Sequence, residues 1–106
     1  MSAITTHVLD TAQGRPAAGI RVVLDRSDGG SWHRVGTGAT GPDGRLAGLC
    51  DQAAPGHYRL SFDVAGYLGT NTFFPEITIQ FVVADDRHHH VPLLLSPYGY
   101  TTYRGS

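Results

Sequence analysis

The stretch His89-His90-Val91-Pro92-Leu93-Leu94-Leu95 decides the fold. Side chains along a strand point alternately to opposite faces, so this segment sets Val91, Leu93 and Leu95 in one wholly apolar row. His90, Pro92 and Leu94 form the opposite row. The first row belongs in a core and the second on an outer surface. Near the start of the chain, Thr6-His7-Val8-Leu9-Asp10 repeats the arrangement: His7 and Leu9 share a face and Val8 turns inward. Strands with one inward and one outward row form a sheet that covers a second sheet.

Outward from these segments the same texture continues. Ile4–Leu9, Ile20–Arg26, Arg34–Ala39, His57–Asp63, Ile77–Val83 and Thr101–Gly105 read as further strands, with shorter ones around Gly44–Leu49. Fourteen glycines and six prolines punctuate them, the spacing of an all-β domain rather than a helix bundle. Asp28-Gly29-Gly30 and Gly41-Pro42-Asp43-Gly44 have the chemistry of tight reversals and are expected to close hairpins. Val64–Gly69 holds one short helical turn, since two glycines disfavour anything longer. Pro75 marks entry to the next strand. The expectation is two antiparallel sheets face to face, a small all-β sandwich with one short helix.

At 106 residues, 41% hydrophobic and 16% charged, the chain is sized for a single domain over residues 1–106 with its own core. Eight Lys plus Arg against nine Asp plus Glu leave a net charge of -1 with no run of one sign. That argues against nucleic-acid and membrane-surface partners. Cys50 is the single cysteine, so no intrachain disulfide forms; it reads as a small core residue in a reducing compartment. The first residues lack a basic, then apolar leader, no apolar run spans a bilayer, and the final Arg-Gly-Ser is no peroxisomal signal. A soluble cytoplasmic protein is expected.

HVLDTAQGRPAAGIRVVLDRS (7–27), followed by GTGATGPDGRL (36–46), resembles transthyretin and other prealbumin-like sandwiches. HHHVPLLLSPYGYTTYRGS (88–106) is similar to the C-terminal signature of the 5-hydroxyisourate hydrolases, which characteristically close on Tyr-Arg-Gly-Ser. With THVLD, GPDGR and FFPEI the resemblance covers essentially the whole chain. It implies a transthyretin-like antiparallel β-sandwich and an enzyme of urate breakdown. That enzyme converts 5-hydroxyisourate to 2-oxo-4-hydroxy-4-carboxy-5-ureidoimidazoline and works as a homotetramer, a dimer of dimers, without a cofactor. Motif by motif, the resemblance puts catalytic roles on His7, Arg45 and His90. Substrate binding falls to His7, Arg45, Tyr103 and Ser106. His89 stands where many relatives carry tyrosine, a change expected to be tolerated.

These residue types suit ring-opening hydrolysis. Histidine exchanges protons near neutrality, and His7 is expected to be the base of a His7/His90 pair. Arginine offers a fixed fork of donors for planar oxygens and developing negative charge. Strand parity is compatible with His7, His90 and Tyr103 lining one outer surface, partly apolar through Leu9 and Leu94, as at an oligomer interface. An affinity tag after Ser106, or loss of the last four residues, is expected to impair catalysis more than folding.

Each residue also has a plainer reading. His33 and His57 read as surface histidines, Tyr98 and Tyr100 as packing residues, and Trp32 as loop cover or interface. An arginine in a turn, such as Arg45, is ordinarily a solvated charge. A metal held by His7, His88 and His90 is the alternative chemistry, although alternation turns His89 away and argues against a three-histidine set from one strand. A carrier of a small aromatic ligand in a central channel is the alternative function, and a structural or adhesion module the third. Neither needs a polar, proton-active lining of His7, Arg45, His90 and Tyr103.

Overall fold

The computed structural model describes residues 2–106. Among them the elements run β1 (Ser2–Asp10), β2 (Arg15–Pro16), β3 (Arg21–Ser27), β4 (Trp32–Ala39), β5 (Arg45–Ala53), β6 (Gly56–Asp63), α1 (Val64–Leu68), β7 (Glu76–Val83), β8 (His89–Ser96) and β9 (Gly99–Thr102). One sheet has the order β2-β1-β8-β9, with β5 also paired to β1. The second has the order β4-β3-β6-β7. The molecule is the expected all-β, transthyretin-like sandwich with one short helix.

β1 organises the first sheet. β8 runs along one edge from Ile4 to Asp10, while the other edge is shared, by β5 as far as His7 and by β2 from Leu9. Pairing is antiparallel except between β1 and β8, which run parallel. Parallel neighbours need a long crossover, and here the crossover includes the entire second sheet.

The inward rows are in place; of the outward positions in β8, Pro92 is buried as well. In β1, Ile4, Thr6 and Val8 face inward while Thr5, His7 and Leu9 face out. In β8, Val91, Leu93 and Leu95 are buried. They meet Val22, Leu24, Leu60, Phe62 and Ile77 of the second sheet in one core. Each such side chain contributes roughly 1.5–3 kcal/mol on leaving water. The inward hydroxyl of Thr6 is satisfied by donating to the Val91 carbonyl at 2.6 Å. At the end of β1, buried Asp10 accepts from the Tyr67 phenol at 2.8 Å, which ties α1 to this strand. The Asp63 carboxylate caps α1 by accepting from Gly66 N.

Several expectations need correction. Asp28-Gly29-Gly30 does close a hairpin, between β3 and β4, but Gly41–Gly44 carries the chain from β4 in one sheet to β5 in the other. The strand expected around Gly44–Leu49 runs to Ala53. The last strand ends at Thr102, and beyond it only Gly105 bridges back to β8, opposite His90. Cys50 is half-buried at the margin of the core rather than within it. Tyr98 is 78% exposed and packs little; Tyr100 is exposed on one side but sets its ring edge-on to Phe74. His33 and His57 are at the surface, as expected. Trp32 opens β4 with the Arg59 guanidinium 4.4 Å over its ring.

Candidate active site

Register brings the distant residues together. On one side of β1, His7 is paired with Arg45 of β5; on the other, Thr5 is paired with His90 of β8 and His7 with Pro92. The His7 and His90 rings therefore lie on the same outer face, 6.5 Å apart at their centroids. Tyr103 and Ser106 reach the same place because Gly105 N donates to the His90 carbonyl at 2.8 Å, laying the tail across the end of β8. His7, Arg45, His90, Tyr103, Gly105 and Ser106 line a hollow of about 290 Å³, completed by Leu9 and Pro92. A second hollow of about 220 Å³ adjoins it through Arg45, His90 and Ser106, and adds Thr5 and His88.

Two glycines permit this approach. Gly44, at φ +79°, lies so close to β1 that a Cβ would sit 2.4 Å from the Val8 carbonyl oxygen and 3.3 Å from His7 Cδ2. Only a residue without a side chain fits, and its carbonyl in turn accepts from Val8 N at 2.8 Å. Gly105 is as tight on the other side: a Cβ there would lie 2.6 Å from His90 Cδ2. Each histidine ring is thus backed by a glycine.

The hydrogen bonds assign nitrogens. His7 Nε2 lies 2.9 Å from the Asp43 carbonyl, which only accepts, so Nε2 carries the proton and Nδ1 is the basic nitrogen of the neutral ring. His90 Nδ1 lies 2.8 Å from Thr5 Oγ1, which leaves Nε2 as its other functional atom. Burial holds His90 below the usual histidine range, reinforced by the positive charge of His88, then Arg45, then His7 nearby. Arg45 is 3.9 Å from the Asp43 carboxylate with both side chains largely exposed, an arrangement that leaves its guanidinium available.

The structure therefore brings His7, Arg45, His90, Tyr103 and Ser106 into one hollow. Sequence reasoning missed Thr5. Its signal was parity, since Thr5 sits two places from His7 on the same outward row. His88 was considered only as a metal ligand; its ring is 6.0 Å from that of His90, with the Thr5 hydroxyl between them. Among the described residues no three His, Cys, Asp or Glu side chains are grouped as a metal centre requires. His89 points away from the hollow, as alternation required. It is buried, and its Nδ1 finds no hydrogen-bond partner among the described residues.

Two sheets in this order, with a polar hollow on the outer face of the β1 sheet, define a transthyretin-like sandwich bearing a pair of imidazoles. The chain belongs to the HIUase/Transthyretin family, whose model matches residues 4–105. It is 45% identical to the 5-hydroxyisourate hydrolase of Salmonella dublin, over 97% of this chain and 80% of that protein. The structure of Klebsiella pneumoniae 5-hydroxyisourate hydrolase superposes with a TM-score of 0.89 at 33% identity, covering both chains fully. Sea bream transthyretin in complex with thyroxine superposes with a TM-score of 0.91 at 28% identity, over 96% of this chain and 93% of that one. Within the family, this chain is an enzyme, a hydrolase.

Proposed function

We propose that this hydrolase acts on 5-hydroxyisourate, opening its six-membered ring to give 2-oxo-4-hydroxy-4-carboxy-5-ureidoimidazoline in urate breakdown. The observation that carries the reading is the convergence of His7, Arg45, His90, Tyr103 and Ser106 on one hollow in a chain whose relatives bear that name. In this mechanism His7 Nδ1 takes a proton from water as the water oxygen adds to the ring carbonyl. The Arg45 guanidinium stabilises the oxyanion that forms. The carbon–nitrogen bond then breaks, and His90 Nε2 gives a proton to the departing nitrogen, leaving a carboxylate and a ureido group. The Tyr103 phenol and the Ser106 hydroxyl hold the edges of the ring.

Residues 1–106 work as one hydrolase domain in this reading, and four copies assemble as a dimer of dimers. Unpaired edges at β7 and β9, with Val82 54% exposed on the former, are consistent with edge-to-edge pairing. A cytoplasmic setting agrees with an unpaired Cys50. Among the described residues no helix is long and apolar enough to cross a membrane.

The test generates 5-hydroxyisourate with urate oxidase and follows its ultraviolet decay. Added protein is expected to accelerate the decay, and His7→Ala and His90→Ala are each expected to abolish most of that effect without unfolding the chain. No acceleration by the unaltered protein would sink the assignment and favour the carrier alternative. Solution mass measurement tests the tetramer.

A further inference from the structure

Thr5 makes an unusual pair of contacts. Its neighbour Thr6 donates to a main-chain carbonyl, whereas Thr5 Oγ1 stands between two imidazole nitrogens, 2.6 Å from His88 Nε2 and 2.8 Å from His90 Nδ1. A hydroxyl has one proton to give. If Thr5 donates to His90, then His88 must donate to Thr5; if Thr5 donates to His88, then His90 must donate to Thr5. The proton positions on the two rings are therefore locked together. The rings also differ in access, since His88 is exposed at the surface and His90 is half-buried in the hollow.

We propose that Thr5 and His88 form a proton relay that feeds a proton to His90 Nδ1, the nitrogen facing away from the substrate, as Nε2 gives its own proton up. The inference rests on the role given to His90 above. Thr5 and His88 are positioning residues, acting through His90 rather than on the substrate.

The step balances. At the start His88 is a cation with a proton on each nitrogen, its Nε2–H donates to Thr5, the Thr5 hydroxyl donates to His90 Nδ1, and His90 carries its proton on Nε2. As the ring carbon–nitrogen bond breaks, the Nε2 proton of His90 passes to the departing nitrogen. The Thr5 proton moves to His90 Nδ1, and the Nε2 proton of His88 moves to Thr5. One proton has left His88 and one has reached the product, while His90 is neutral before and after. After the product leaves, the proton that His7 Nδ1 took from water passes through water in the hollow to His90 Nε2, while His90 Nδ1 returns its proton to Thr5 and Thr5 its own to His88 Nε2. All three histidines are then back in their first forms, and no charge need rest on the buried ring.

The test uses the full chain and three variants in the 5-hydroxyisourate assay. Thr5→Val keeps shape and strand preference but removes the hydroxyl. His88→Gln keeps a hydrogen-bonding partner for Thr5 but has no transferable proton. Both are expected to lower kcat by about 10²-fold, the lower end of acid–base contributions, with KM little changed. Thr5→Ser keeps most of the rate, and added imidazole restores His88→Gln, because imidazolium supplies the proton that His88 gave. A merely structural role for either residue would give no such chemical rescue.

If the unaltered protein turns over substrate while Thr5→Val or His88→Gln retains its kcat, the relay is wrong and the assignment of function stands. If the unaltered protein is inert, the function falls and the relay with it. Should Thr5→Val fail to fold, the exposed His88→Gln substitution carries the test.

Discussion

Replacing Gly105 with alanine probes how tightly the site is built. A Cβ at that position would lie 2.6 Å from His90 Cδ2 and 3.2 Å from Pro92 Cγ. Ordinary contact begins near 3.4 Å, so 3.4 - 2.6 leaves about 0.8 Å for the imidazole or the tail to give. If the ring retreats, its 2.8 Å hydrogen bond to Thr5 stretches toward the limit at which it ceases to be one. If the tail retreats, the 2.8 Å bond from Gly105 N to the His90 carbonyl is lost instead. Either way one hydrogen bond is sacrificed, a cost of about 1 kcal/mol in stability. Displacement of a catalytic group by about 1 Å costs on the order of 10²-fold in rate. Gly105→Ala is therefore expected to lower kcat/KM by about 10²-fold while moving Tm by only ~4–8 °C. Ultraviolet decay of enzymatically generated 5-hydroxyisourate gives the first number and a thermal melt the second. Unchanged kcat/KM in a folded Gly105→Ala protein would refute the claim that the tail positions His90.

Four other outcomes are expected. Arg45→Lys loses about 10²–10³-fold in kcat, because a point charge does not reproduce a planar fork on the oxyanion; near-normal turnover would remove Arg45 from the mechanism. His90 takes up a second proton only below the usual histidine value, held down by burial and then by the charges of His88, Arg45 and His7, and an NMR titration of its ring checks this; titration at or above the usual value would refute it. Stability follows the same sign: the unfolded chain takes up this proton first, so stability is full above the unfolded value of about 6.5 and declines as pH falls through the folded one. Substituting His89→Phe removes a buried Nδ1 that has no hydrogen-bond partner among the described residues, along with the 3.9 Å approach of Nε2 to Asp85, and is expected to raise unfolding stability by about 1 kcal/mol in a urea titration; a loss would refute the reading. Leu93→Ala, in the core, costs roughly 2–5 kcal/mol, whereas Leu94→Ala on the outer row weakens assembly, measured by solution mass, more than it weakens the fold.

What the sequence made legible follows from what strand geometry encodes locally. Alternation in His89–Leu95 and Thr6–Asp10 assigned faces, and Val8, Val91, Leu93 and Leu95 are buried accordingly. Alternation says nothing about neighbours, so the parallel pairing of β1 with β8 was not readable, nor was the pairing of His7 with Arg45 across β1 and β5. Gly41-Pro42-Asp43-Gly44 announced a reversal but not that the reversal changes sheets. Tyr103 and Arg104 have strand-like neighbours, yet they leave the ladder because Gly105 is drawn back to His90. The motif resemblance supplied the residues that share the hollow. Thr5 escaped because a threonine in a strand is unremarked until a register places it between two imidazoles.

The alternation in β1 and β8 has a consequence for how such a molecule can change over time. Inward letters spell the fold and outward letters spell the chemistry, interleaved in a single text. Rewriting Thr5, His7, Leu9, His90 or Leu94 leaves the buried rows intact, so new surfaces can be sampled without solving the packing problem again. A library confined to the outward letters of these two strands is accordingly a search through activities at nearly constant stability.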